Sequence, residues 1–299
     1  MRKALACASV ILAIGATSAS TAIAQELTGT LKKIKDSGTI TLGIRESSIP
    51  FSYLDDSQKP IGYSIDLCNK VVDSVKKKLK MPSLKVQMNP VTSQTRIPLM
   101  TNGTIDMECG STTNSVERQK QVAFSVAHFV TSVRMAVKAN SGIKSLSDLN
   151  GKSVVTTSGT TSDRYIKQTE QGKKIDVKNL YGKDHAESFL MLESGRAVAF
   201  VMDDVLLAGL IARSKTPKAF AIVGPALSVE PYGIMMRKDD PQFKKVVDDT
   251  LSGLMKSGEI NKIYSKWFTA ATPPKGVNLN LPISPKLRDA FKNPTDKGV

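Results

Sequence analysis

Apolar and polar positions along the chain change period several times, and the changes outline its elements. Thr39-Ile40-Thr41-Leu42-Gly43-Ile44 is a run of β-branched, apolar and small residues closing on Arg45, and it reads as a strand. After a Pro- and Asp-containing loop, Ile65, Cys68, Val72, Val75 and Leu79 recur at helical spacing with Lys and Asp on the other faces. Val86 to Val91 follows as a strand, a short helix is expected around Ile97 to Met100, and Ile105, Met107 and Cys109 alternate as a third strand. Strand and helix in turn favour a mostly parallel sheet covered on both faces.

The pattern then restarts. Val133 to Val137 is a strand, Ser145 to Leu149 a short helix, Lys152 to Thr157 a strand, and Ser162 to Gln168 opens another helix. Ser188 to Glu193 reads as a helix stopping at Gly195, and Ala197 to Met202 as an apolar strand ending at Asp203. Pro241 to Met255 and Glu259 to Phe268 supply helices with few strands. Two similar α/β halves and a helical end imply two lobes. Pattern alone does not say which lobe the end joins.

The first 24 residues stand apart. Arg2 and Lys3, an apolar stretch from Ala4 to Ala16 and the small-x-small Ala22-Ile23-Ala24 occur in the order of a cleavable export signal, so the mature chain is expected to begin at Gln25 in the periplasm. The stretch is short of the ~20 apolar residues of a membrane span. Cys7 precedes most of the apolar run, whereas a lipoprotein cysteine follows it. Removing the leader lowers the formal charge from +15 by two, to +13. The lysines are scattered, with short clusters such as Lys76-Lys77-Lys78 and no interleaved aromatics, which reads as a basic soluble surface without a nucleic-acid role.

Enzymatic motifs are missing. The two histidines accompany no nucleophile motif, and there is no Gly-x-Ser-x-Gly elbow, phosphate-cradling loop or His-Glu-x-x-His helix. Cys68 and Cys109 lack the spacing of a metal site, so no cofactor or metal is expected. Oxygen-rich clusters instead occupy the expected C-terminal ends of strands, where open α/β sheets place ligands. Gly110-Ser111-Thr112-Thr113 is one and Thr156-Thr157-Ser158-Gly159-Thr160-Thr161-Ser162 the other. Hydroxyls and N–H groups at a helix start suit a carboxylate, although Ser and Thr also serve as ordinary N-caps. Arg45, Arg96 and Arg118 stand near the same ends, and a guanidinium fork matches a carboxylate with two parallel hydrogen bonds.

With these residues the chain resembles the periplasmic glutamate/aspartate-binding proteins of polar amino acid ABC importers, in solute-binding protein family 3. The resemblance runs through Arg45-Glu46-Ser47-Ser48-Ile49-Pro50-Phe51-Ser52-Tyr53, Thr92-Ser93-Gln94-Thr95-Arg96, Glu108-Cys109-Gly110-Ser111-Thr112-Thr113 to Arg118, Thr157-Ser158-Gly159-Thr160-Thr161-Ser162, Lys183-Asp184-His185, and Gly195-Arg196-Ala197 to Asp203-Asp204. It implies an α/β, two-lobed Venus-flytrap fold of type II with two hinge-crossing strands. Residues 25–129 and 230–299 would form the first lobe and 130–229 the second. By the same resemblance Arg118, helped by Thr113 and the N–H groups of Thr160 and Thr161, holds an α-carboxylate. Asp203, with Ser111 and Thr113, takes the α-ammonium, and Arg45, Ser93, Arg96 and His185 hold the side-chain carboxylate. The implied ligand is L-glutamate or L-aspartate and the implied partner an ABC importer permease, served by a monomer that performs no chemistry. A dehydratase-like enzyme and a ligand-presenting chemosensory module are the alternatives on this scaffold. Cys68 and Cys109, both on apolar faces, are either a disulfide or two buried free thiols.

Overall fold

Residues 26–299 are described in the structure, a computed structural model. The export signal over 1–24, Cys7 and the start at Gln25 lie outside the described residues. In chain order come α1 (Gly29–Ser37), β1 (Thr39–Ile44), β2 (Ser47–Ser48), β3 (Ser52–Leu54), β4 (Pro60–Ile61), α2 (Tyr63–Leu79), β5 (Lys85–Pro90), α3 (Arg96–Thr101), β6 (Met107–Glu108), α4 (Val116–Gln119) and β7 (Val122–Phe124). A middle section holds β8 (Phe129–Thr131), β9 (Val133–Lys138), β10 (Ser153–Thr157), α5 (Thr161–Gln171), β11 (Lys178–Gly182), α6 (His185–Glu193), β12 (Ala199–Asp203), α7 (Asp204–Arg213) and β13 (Phe220–Val223). The chain ends with β14 (Glu230–Tyr232), β15 (Met235–Arg237), α8 (Pro241–Ser257), α9 (Glu259–Phe268) and α10 (Pro285–Lys292).

Two five-stranded sheets carry the two lobes, ordered β5-β1-β6-β15-β7 and β11-β10-β12-β9-β13. The expected mostly parallel sheets hold in strand direction, four of the five strands in each running one way, and a single reversed strand makes each sheet mixed. β1 pairs in parallel with β5 and β6, and β10 with β11 and β12, but β15 and β9 each run antiparallel to both neighbours. The reason is the crossing between lobes. The chain passes along β8 and again along β14, which pair antiparallel from Phe129↔Tyr232 to Thr131↔Glu230. β9 and β15 start from those crossings and run away from the junction, while β1, β6, β10 and β12 run towards it.

Burial explains the local choices. β1 is buried from Ile40 to Ile44, so it shows little polar alternation. The helical stripe of α2 is buried throughout, each large apolar side chain contributing about 1.5–3 kcal/mol, and Lys76, Lys77 and Lys78 fill its last turn, where cations suit the helix dipole. The helical end joins the first lobe: α8 packs on α2 and α9, and all three share one core. Cys68 on α2 is bonded to Cys109 just past β6, with Cα atoms 6.1 Å apart, tying the helix to the sheet at the junction. Beside the crossing strands, Phe51, Tyr63, Phe129, Tyr232, Tyr264 and Phe268 pack with ring centroids 4.3 to 6.3 Å apart. No helix among the described residues is long and apolar enough to cross a membrane.

Candidate functional site

The parallel strands bring the polar clusters together because all of them end at the same junction. Arg45 follows β1, Ser93 and Arg96 follow β5, and Ser111, Thr113 and Arg118 follow β6. From the other lobe, Thr160 and Thr161 open α5 after β10, His185 opens α6 after β11, and Asp203 ends β12. A tight space of about 10 Å³ lies between the two sets.

Its walls are Ser93, Arg96, Ser111, Thr113, Arg118, Thr160, Thr161, His185, Met202, Asp203 and Leu206. Nine of the ten candidate residues line it; Arg45 stands behind, its Nη2 3.5 Å from His185 Nε2. Met202 and Leu206 supply apolar wall that the sequence did not single out.

Charge is concentrated and unevenly paired. Arg118 donates from Nη1 to the Thr113 carbonyl at 2.9 Å and from Nη2 across the junction to the Gly159 carbonyl at 3.2 Å. Arg96 donates to Thr112 Oγ1, which donates in turn to Glu108 Oε2 at 2.6 Å. Tyr232, on the second crossing strand, donates its hydroxyl to Asp203 Oδ2. Thr161 Oγ1 donates to Glu230 Oε2 at 2.8 Å, and its N–H stands at the start of α5, where a helix favours an anion. The Thr160 N–H is already donated to the Thr157 carbonyl at 3.3 Å.

Burial acts on the arginines, the aspartate and the histidine of the site. It pushes the Arg45 guanidinium down to about 10, with Arg96 adding repulsion, and Arg118 down to about 9, again with Arg96 beside it. It lifts the Asp203 carboxyl to about 8, helped by the neighbouring Glu230. The His185 imidazole is held well below its ordinary value by burial and then by Arg45 and Arg96, so it is neutral. Its Nδ1 lies 3.0 Å from Thr157 Oγ1, which leaves Nε2 as an acceptor facing Arg45. Arg45 Nη1, Ser93 Oγ, Arg96 Nε, Glu108 Oε1, Ser111 Oγ and Asp203 Oδ1 are buried without a hydrogen-bond partner among the described residues. An unmet buried polar group costs about 1–3 kcal/mol, and the four on Ser93, Arg96, Ser111 and Asp203 line the space itself, a surface built for a charged, polar molecule.

Residues 40–270 match the bacterial extracellular solute-binding proteins, family 3. The chain belongs to this family. It is 58% identical, over 278 residues covering 93% of this chain and 92% of the relative, to the L-glutamate/L-aspartate-binding protein of Pseudomonas aeruginosa. It is 52% identical, over 90% of this chain and 89% of the relative, to the glutamate/aspartate import solute-binding protein of Escherichia coli. Among solved structures, an ancestral arginine-binding protein bound to glutamine superposes with a TM-score of 0.69 at 33% identity, covering 77% of this chain and 98% of that one. Family 3 membership agrees with the resemblance read from the strand-end motifs, and the two-lobed α/β fold is that of these amino-acid-binding structures.

Within this solute-binding protein, Glu108, Thr112, Glu230 and Tyr232 support the residues around the space, although none was a candidate on sequence and Thr112 stood only as part of its cluster. Glu108 carried a signal: an acid flanked by Met107 and Cys109 in a strand expected to be buried. A wider groove behind the crossing strands, lined by Phe129, Val205, Ile222 and Leu287, is mostly apolar. Its charged residues, Arg134, Asp204 and Lys286, are half-buried or exposed and leave the junction as the site.

Proposed function

We propose that this family 3 protein captures L-glutamate or L-aspartate between its lobes and delivers it, from the periplasm, to the membrane permease of an ABC importer. The observation that carries the reading is the set of three buried arginines and one buried aspartate around a single small space. A dicarboxylic amino acid brings two carboxylates and one ammonium, opposite in sign to the arginines and the aspartate that would meet them. In this assignment Arg118, Thr113 and the Thr161 N–H hold the α-carboxylate, with Thr160 capping the helix that presents them. Asp203 takes the ammonium, aided by Ser111 and Thr113. Arg96, Ser93 and His185 meet the distal carboxylate, and Arg45, behind His185, adds its charge. The lobes divide at the crossing strands, 25–129 with 230–299 against 130–229.

The protein binds and does no chemistry, as its curated relatives at 58% and 52% identity are binding proteins by name. Amino acids without a distal carboxylate leave Arg45 and Arg96 unpaired, and this penalty is the source of selectivity. Calorimetry on ligand-stripped protein tests the reading. Glutamate and aspartate should bind far more tightly than glutamine and asparagine. Equal affinities, or no heat from the acidic pair, would refute it.

A further inference from the structure

Two guanidiniums at one end of the space exceed what a single carboxylate needs. Glu108, fully buried on β6, stands close enough to both to act on their charges. Its Oε1 is 4.0 Å from Arg96 Nη1, and its Oε2 accepts from the Thr112 hydroxyl to which Arg96 itself donates. Residue 110 is glycine for the same reason: a Cβ there would stand 2.2 Å from Glu108 Oε1 and 2.8 Å from Arg45 Cγ, so only glycine lets the carboxylate lie this close to the arginine stem.

We propose that Glu108 is a specificity-determining residue that cancels one of the two distal arginine charges, so that the pocket accepts one negative charge and rejects two. The inference rests on the acidic amino-acid reading above and deepens it. Counted with their charges, Arg45 and Arg96 against Glu108 leave a single positive charge, which one ligand carboxylate neutralises. A doubly charged distal group would bury a net negative charge, and a neutral amide would bury a net positive one, both costly in an enclosed site. Glu108 therefore sets a window of ligand charge, while the arginines alone would favour ever more negative ligands. Its carboxylate acts on the ligand through the arginines.

Two isosteric ligands separate charge from shape. O-phospho-L-serine gains its second charge near pH ~6, whereas L-serine O-sulfate stays singly charged. Calorimetry on the wild-type protein at pH 5 and pH 8 should show the phosphate ester losing affinity relative to the sulfate ester by about tenfold or more as the pH rises. In Glu108→Gln, which keeps an acceptor for Thr112, that loss should vanish, and the ratio of glutamate to glutamine affinity should rise about tenfold. Glu108→Asp, which keeps the charge, should retain the wild-type order. A phosphate ester that gains on the sulfate ester in wild type as the pH rises would overturn the proposal. So would a glutamate-to-glutamine ratio unmoved in Glu108→Gln. If that variant does not fold, the wild-type ester pair decides; if neither ester fits, the glutamate-to-glutamine ratio decides. Wild-type protein that binds glutamine as well as glutamate would refute the acidic reading itself. Normal wild-type selectivity with an unmoved variant refutes only the role of Glu108.

Discussion

Arg45, Arg96 and Arg118 are between 1% and 3% exposed, and burial lowers the proton affinity of each. Removing one partner of a buried charge pair costs about 2–5 kcal/mol, so the arginines can be told apart by which ligands suffer. Arg118→Ala should weaken every amino acid at least about thirtyfold, while Arg96→Ala should hurt glutamate and spare glutamine. Calorimetry with both ligands checks this, and equal losses for Arg96→Ala would contradict its assignment. A second residue-scale prediction concerns His128, whose ring nitrogens are buried without partners among the described residues and whose proton affinity burial lowers to about 3. In the unfolded chain the ordinary value is about 6.5, so the unfolded state binds the extra proton between these limits. Stability from this group is whole above pH ~6.5 and is lost as the pH falls towards ~3, at up to ~1.4 kcal/mol per unit. Urea midpoints at pH 7 and pH 5 should therefore differ more for wild type than for His128→Gln. The arginines were legible in the sequence because each stands at a strand end beside hydroxyl residues. Tyr232 and Glu230 were not, since they reach Asp203 and Thr161 only after the chain has crossed back between lobes.

Among the elements, several with room for a full period were readable, although α1, α7, α10 and β11 were not expected. The expected helix from Glu259 to Phe268 is α9 residue for residue, and the strand from Thr39 to Ile44 is β1. The third strand, expected from Ile105 to Cys109, is only Met107–Glu108. β7, β8, β14 and β15 are three residues each, too short for any periodicity, and they make the crossings and the antiparallel end of the first sheet. α7 shows how one element serves closure. A Cβ added at Gly209 would lie 2.5 Å from the Ile49 carbonyl oxygen across the junction. Alanine favours a helix by about 1 kcal/mol over glycine, so Gly209→Ala should leave the thermal stability of the ligand-free protein unchanged or raised. Glutamate affinity should fall about tenfold because the lobes cannot meet. Differential scanning calorimetry and titration separate the two effects; retained affinity would mean that the Ile49 loop yields.

At the scale of the whole molecule, closure itself is coupled to protons. Asp203 reaches about 8 in the closed junction, whereas a solvated aspartate titrates near 3.9. Closing the empty cleft thus takes up a proton between these values. The contribution to the empty closed form is fully present below pH ~4 and is lost as the pH rises through about 8. A bound ammonium replaces that proton and removes the dependence. Interlobe distances in ligand-free protein should therefore lengthen from pH 5 to pH 9, and Asp203→Asn should abolish the change; scattering or fluorescence transfer between the lobes would measure it.

The return of the chain along β14 has a consequence for the order in which the molecule can be assembled. The second sheet has all its strands once Val223 is made. The first, although begun earlier, lacks β15 between β6 and β7 until Arg237, and its core lacks α8 and α9 until Phe268. A chain emerging from its N-terminus therefore completes the later lobe first, and the earlier one must hold its strands β1, β5 and β6 exposed meanwhile. Released chains truncated after residue 230 should be protease-resistant in the middle third and sensitive before it.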